Sequence, residues 1–484
     1  MNNNLIIGGD NMKKIVCFIF ILSVICSVAL SDIEVLFNTK YAPYSYQENG
    51  NNTGFIKGVL DEILKNIDEE VTLMPFENWE NNYQKLLKEK NTAITSLVMN
   101  SKRKDLFKWV GPIAYGMTYL YFDVSYDKDI LSIEDVDKNE KIGVVKDYYS
   151  QQILEEKGFK SLIYFDNEKE LLEAFARGEI IAAPFNSAVL GSLAEELKIS
   201  IKSLFSPLIL INMDFMYFGF NKDTSDDVIE EWQYQLNKLK SDGKFGEIYS
   251  KWFDDDNVPG IYAFLTEDYY PSTFMRGGRL EGIVGDTVSL IRERNGMYDK
   301  VYQLPWKIAY EISLLNPNVV IFGMARLENR ENIYSWVGPV YKNVAFFYSF
   351  SDECSDAMTL DEIRKCSSVS VTEGWWTHLR LMDKGFKNIS PAVDLDLTVK
   401  NLLEGKSPVA LLPYLTVSVL VEKGEYSLEK LKKLFSFDSY DIYIAISKGS
   451  DEELVRKFKK TFDEIVMDGS FNEIMSKYDK YLVF

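Results

Sequence analysis

Two arginines stand out by their setting. Arg103 lies in "SKRKDLFKWVGPI", Ser101 to Ile113, and Arg330 lies in "ENRENIYSWVGPV", Glu328 to Val340. Each precedes by six residues a Trp that opens a Trp-Val-Gly-Pro run. A guanidinium is a planar, charged fork of donors that matches a carboxylate with two parallel hydrogen bonds. Arg is kept in both stretches while Ser101, Lys102 and Lys104 become Glu328, Asn329 and Glu331. That favours contact with an anionic group over the plainer alternative, an Arg exposed among other charges. Aromatic residues supply the second kind of chemistry, flat apolar surfaces for a ligand. Trp79 and Trp306 open predicted helices, where core and cleft are equally good readings. Tyr44, the pair Tyr148-Tyr149 and the pair Trp375-Trp376 fall in predicted loops or helix starts. Trp109 and Trp336 follow the arginines at strand spacing and read as core. The chain has one histidine, His378, and four cysteines, too few for a recognisable metal cluster, and no cofactor is implied.

The two arginine phrases belong to a longer echo. Arg103 and Arg330 are 227 positions apart, as are Trp79 and Trp306, Trp109 and Trp336, Gly58 and Gly285, and Gly178 and Gly405. The offset drifts by one near the ends, from Pro43 and Pro271 to Asp242-Gly243 and Asp468-Gly469. A constant offset over half a chain marks a duplicated domain. The unit is far longer than those of short repeat arrays, so each copy is a globular domain of its own.

A chain of 484 residues with 46% hydrophobic residues has material for more than one core. Its 54 Lys plus Arg against 73 Asp plus Glu give a net charge of −19, which repels nucleic acid and anionic lipid. "MKKIVCFIFILSVICSVALSD", from Met12, has two lysines, an apolar run Ile15–Leu30 and small residues at its end. This is the pattern of a secretory signal peptide cleaved after about Ser31, with Met12 as the expected start. The 16-residue apolar run is short beside the roughly 20 residues that span a bilayer. Cys17 and Cys26 fall within the signal, leaving Cys354 and Cys366. An exported chain meets oxidising conditions, so these two are a candidate disulfide, with two free thiols as the alternative.

Each half alternates strand-like and helix-like runs. In the first, "EVLFNT", "VTLMPF", "TAITSLVM", "KIGVV", "LIYF", "IIAAPF" and "DFMYFGFN" read as strands. "VLDEILKNI", "WENNYQKLLKEK", "YYSQQILEEKG" and "EKELLEAFARG" read as helices, and two more helices close the unit. Such alternation predicts an α/β fold with parallel sheets. The acidic "DDDNVPG", 254–260, divides a first domain at 32–253 from a second at 261–484.

"YAPYSY" after the first strand, "SKRKDLFKWVGPI", "KIGVVKDYYSQQIL", "ARGEIIAAPFNSAVL" and "DGKFGEIYSKW" together resemble the bacterial extracellular solute-binding proteins of family 3, the polar amino acid type with the type II periplasmic binding fold. The resemblance covers nearly all of the mature chain, twice. It implies two α/β lobes per unit joined by two hinge strands, with crossings near 122–124 and 217–220, and again near 347–350 and 442–445. It implies that Arg103 and Arg330 hold a ligand's α-carboxylate. Where the family places an Asp for the ligand's ammonium, the chain has Asn186 and Tyr414. Where it places Ser or Thr five residues before the Arg, the chain has Val98 and Ala325. Where it opens the second-lobe helix with Gly-Ser/Thr, the chain has Asp147-Tyr148-Tyr149 and Gly374-Trp375-Trp376. The expected clefts are therefore more aromatic than usual, and an aromatic or apolar carboxylate is a candidate ligand alongside an amino acid. The expected protein is a non-enzymatic, monomeric, periplasmic or secreted binding protein that serves a membrane permease, as in ABC-type uptake, or a sensor. The alternatives are a dehydratase or lyase on the same fold, with Asp147 or Glu373 as acid, and a scaffold with inactive clefts.

Overall fold

The computed structural model describes residues 32–126, 133, 136–200, 205–253, 258–423 and 431–482. The predicted signal peptide, 1–31, lies outside the described residues, as does most of the acidic linker, 254–257. Among the described residues no helix is long and apolar enough to cross a membrane.

Two eight-stranded sheets organise the chain, with the same strand order. In the first unit the order is Val71–Phe76, Ile33–Asn38, Thr92–Val98, Phe205–Asn221, Phe107–Asp123, Ala182–Asn186, Ile142–Val145 and Leu162–Phe165. In the second it is Val301–Gln303, Ala263–Thr266, Val319–Ala325, Lys432–Ser447, Tyr334–Ser349, Val409–Pro413, Val369–Thr372 and Ile389–Ala392. At either end of each sheet the strands are parallel, with helices as crossovers. Their apolar runs are buried on both faces, as in Ile33–Asn38.

The middle of each sheet is a pair of long antiparallel strands shared by both lobes. Phe107–Asp123 and Phe205–Asn221 pair along their length. Met216–Phe220 also pair with the first-lobe strand Thr92–Val98, and Thr118–Phe122 pair with the second-lobe strand Ala182–Asn186. The lobes therefore meet near 113–117 and 212–215. In the second unit the equivalent positions are 341–344 and 438–441. The crossings expected at 122–124, 217–220, 347–350 and 442–445 are thus corrected: those residues lie inside the lobes. Uninterrupted apolar runs gave no signal of where each strand passes from one lobe to the other.

Local chemistry sets the elements that carry the site. Phe55–Leu64 buries Phe55, Ile56, Val59, Leu60 and Ile63 on one face. Phe55 meets Phe245, Tyr249 and Phe253 of the closing helical segment edge-on. Gly54, at φ 111°, starts that helix where a Cβ would stand 2.5 Å from the Tyr44 carbonyl oxygen; Gly282 repeats this at φ 111° and 2.4 Å from the Ser272 oxygen. Cys354 and Cys366 of the second unit are joined in a disulfide with a Cα–Cα distance of 6.1 Å.

Candidate functional site

Each candidate arginine follows the last residues of a first-lobe strand. Asn100 Oδ1 accepts from the Arg103 amide at 2.9 Å and folds the turn that sends the side chain inward. Arg330 ends a short 3-10 turn, Glu328–Arg330. Arg103 is 7% exposed and Arg330 1%. Their contacts repeat atom for atom. Arg103 donates to the Val98 carbonyl at 3.4 Å and, across the cleft, to the Asp147 carbonyl at 3.3 Å. Arg330 donates to the Ala325 and Gly374 carbonyls, each at 3.3 Å. Aromatic rings flank both guanidinium carbons: Trp79 at 6.0 Å and Tyr83 at 5.3 Å, and Trp306 at 5.8 Å and Tyr310 at 4.7 Å. Burial pulls both arginine pKa values down, yet an Arg this basic stays charged.

A cavity surrounds each guanidinium. The first, about 60 Å³, is lined by Asn38, Tyr41, Trp79, Ser96, Val98, Arg103, Asp147, Tyr148 and Tyr149. The second, about 20 Å³, is lined by Glu267, Tyr269, Trp306, Gly323, Ala325, Arg330, Asn343, Trp375, Trp376 and Ile442. These volumes hold a few waters at most, so an amino-acid-sized ligand requires the lobes to part. Next to the second cavity, and sharing Glu267 and Trp306 with it, lies a recess of about 370 Å³ that also includes Asp268, Asp394 and Asp396.

Eight of the predicted ligand residues thus line the cavities: Trp79, Arg103, Tyr148, Tyr149, Trp306, Arg330, Trp375 and Trp376. Three do not. Tyr44 is 2% exposed, packed in the first-lobe core, and its hydroxyl donates to the Tyr115 carbonyl at 3.2 Å. Asn186 spends its Oδ1 on the amides of Ala188 and Val189 as the cap of helix Ser187–Leu197. Tyr414 packs on Phe346 at 6.2 Å. Asp147 and Glu373, the acids weighed for catalysis, do not cap the helices Tyr149–Glu156 and Trp376–Asp383, whose N-caps are Tyr148 and Trp375 without a side-chain bond. Glu373 pairs with Lys307 at 2.6 Å.

Two carboxyl groups escaped the sequence reading. Asp214 sits on the hinge strand 205–221, 8% exposed, bonded to Thr118 and to Asn212 at 2.8 Å. Burial pushes its pKa up to about 6, with the charge of Arg103 pulling the other way. Glu267 follows the first strand of the second unit and accepts from Trp375 Nε1 at 2.9 Å. The residue keeps some exposed surface, but its carboxyl end is enclosed, and burial pushes its pKa up to about 8. Glu267 and Arg330 thus line one cavity. Three N–H groups from the same wall, Arg330 Nε, Trp306 Nε1 and Trp376 Nε1, are buried with no acceptor among the described residues. An unmatched buried donor is costly, and all three donors belong to residues that line the cavity. Among the described residues no cluster of His, Cys, Asp and Glu could hold a metal ion.

Residues 33–255 match the model of the bacterial extracellular solute-binding proteins, family 3. A "Probable amino-acid-binding protein YxeM" of Bacillus subtilis (strain 168) is 24% identical over 220 residues, 44% of this chain and 81% of that protein. The "ABC transporter glutamine-binding protein GlnH" of the same organism is 31% identical over 128 residues, 26% of this chain and 45% of the relative. Among solved structures, an ancestral arginine-binding protein bound to glutamine matches 46% of this chain and 98% of its own, at 20% identity and a TM-score of 0.40. The B. pertussis BvgS periplasmic domain matches 98% of this chain and 93% of its own, at 13% identity and a TM-score of 0.38. The first half of the chain therefore matches the bacterial extracellular solute-binding proteins of family 3, and the second half repeats its strand order.

Proposed function

We propose that the chain is an exported, two-site binding protein, each unit of which closes around a small solute bearing a carboxylate. The observation that carries this reading is the buried arginine wall of the second cleft, with three N–H donors lacking an acceptor and the Glu267 carboxyl among the same residues. The guanidinium and indole donors suit the ligand's carboxylate, and Glu267 suits an amine on the same molecule. The acidic recess beside it, with Asp268, Asp394 and Asp396, favours a ligand with a further positive group. In the first cleft Arg103 meets the carboxylate and Asp214 offers the counter-charge from the hinge. Two relatives, an amino-acid-binding protein and a glutamine-binding protein, agree with this ligand class. Closure exchanges the arginine's interlobe bonds to backbone carbonyls for bonds to the ligand, and the closed shape is what a membrane permease or a sensor protein reads. Neither cleft is assigned a reaction.

Native mass spectrometry of the chain incubated with a pool of the twenty L-amino acids tests the reading. One or two adducts of unchanged ligand mass per chain are expected. No adduct, or release of a chemically altered product, contradicts it.

A further inference from the structure

The hinge strand Phe205–Asn221 has two faces with different duties. Asp214 turns toward Thr118 and the charge of Arg103. Its neighbours Met213 and Phe215, together with Tyr217 and Tyr115, are buried in the same apolar core as Tyr302, Ala309 and Ile312 of the second unit. The Tyr115 ring stands edge-on to Tyr302 at 5.6 Å and lies 4.4 Å from Phe215. The segment that must bend when the first unit opens is therefore packed on one side against its own cleft and on the other against the second unit.

One helix of the second unit spans the distance between the clefts. Trp306–Leu315 has ten residues, about 15 Å long. Its first turns place Trp306 and Tyr310 over Arg330. Its other end is tied to the first unit: the Leu314 carbonyl accepts from Lys104 Nζ at 3.1 Å, and Asn316 Oδ1 accepts from the Tyr217 hydroxyl at 2.9 Å. Asn316 is itself held by the Ile312 carbonyl at 2.8 Å. Lys104 adjoins Arg103 in the first lobe. Glu311, midway along the helix, feels the charges of Lys157 and Glu156 from the second lobe of the first unit. The helix thus touches the first lobe of one cleft, feels the charges of its second lobe and walls the other cleft.

We infer that the two clefts are coupled sites: opening or closing the first unit shifts the seat of helix Trp306–Leu315, and with it the aromatic wall around Arg330. By linkage a ligand in the second cleft acts equally on the first. Packed cores change between discrete arrangements and do not yield continuously, so a hinge packed in this way cannot move unnoticed by its neighbour. The coupling holds whichever ligands the clefts take.

Hydrogen–deuterium exchange on the full chain tests this without a ligand, so its failure is separate from a failure of the proposed binding function. Arg103→Ala deletes the side chain's bond to Val98 within the first lobe and its bond to Asp147 across the cleft. Peptides covering 306–316 and 369–378, in the second unit, are expected to exchange about threefold faster or more in this variant. In the background of Lys104→Ala with Tyr217→Phe, which removes two interunit hydrogen bonds and little packing, the same substitution is expected to move those peptides by less than about half as much. If Arg103→Ala does not fold, Arg103→Lys, which keeps the charge and loses the fork, takes its place. Exchange altered only within 32–253 overturns the inference, and an equal effect in both backgrounds overturns the route through this helix.

Discussion

Arg103 and Arg330, 227 residues apart, each tie the carbonyl five positions back to a carbonyl of the facing lobe, Asp147 and Gly374 respectively. Two equivalent positions near the arginines have left-handed backbones in both units: Ser96 and Asp147 at φ 63° and 62°, and Gly323 and Gly374 at 83° and 73°. The second unit meets this demand with glycine and the first does not.

A non-glycine residue in that conformation costs roughly 1 kcal/mol. Asp147→Gly keeps the carbonyl that Arg103 uses and is expected to stabilise the first unit by about 1 kcal/mol, read by urea denaturation. Gly374→Asp is expected to destabilise the second unit by a similar or larger amount. Opposite signs would show that the backbone at these sites is not strained.

Glu267 predicts a pH dependence confined to the second unit. Its pKa is near 8 in the fold against 4.5 for an ordinary Glu, because burial disfavours the charge. Its favourable contribution is therefore fully present below about pH 4.5 and is lost as the pH rises through about 8. Glu267→Gln should leave the second unit's melting unchanged near pH 4.5 and raise it at pH 8.5, by the equivalent of about 1–4 kcal/mol. Parallel melting curves for the two proteins across this range would remove Glu267 from the account. An amine-bearing ligand in this cleft should release protons at pH 7, seen in calorimetry as a heat that varies with the buffer.

The disulfide closes a short loop, Cys354 and Cys366 being 12 residues apart. Replacing both with Ser should lower the stability of the second unit by about 2–3 kcal/mol and leave the first unit's transition in place. Loss of both transitions together would mean that the units unfold as one body.

The arginines and the tryptophans of the site were legible because a duplicated chain supplies its own comparison. A side chain kept at a fixed offset while its neighbours change declares itself. Glu267 was not legible because the offset sets Thr39 or Lys40 opposite it, whereas Asp214 has Asp441 at the 227 offset and was hidden by its surroundings instead. Asp214 lies within a run, "LILINMDFMYFGF", that reads as plain buried strand. Asn186 precedes the helix Ser187–Leu197, where Asn is a preferred cap, and capping uses up its oxygen. Tyr44 follows Pro43 in a turn that points its ring into the core beside Tyr41, at 5.3 Å, and it is Tyr41 that lines the cavity. Strand and helix order in each lobe followed from periodicity. The 17-residue hinge strands did not, because their pairing is decided by two lobes at once.

The most direct measurement is thermal unfolding of the chain with a panel of small carboxylates, repeated on Arg103→Ala and Arg330→Ala. A ligand at 100 times its dissociation constant stabilises the unit it occupies by about 2.7 kcal/mol. The account predicts that at least one carboxylate raises a transition, that the arginine variant of that unit abolishes the rise, and that the amide of the same compound fails to produce it. A carboxylate that stabilises both arginine variants as much as the parent chain would contradict the claim that these guanidinium groups grip the ligand.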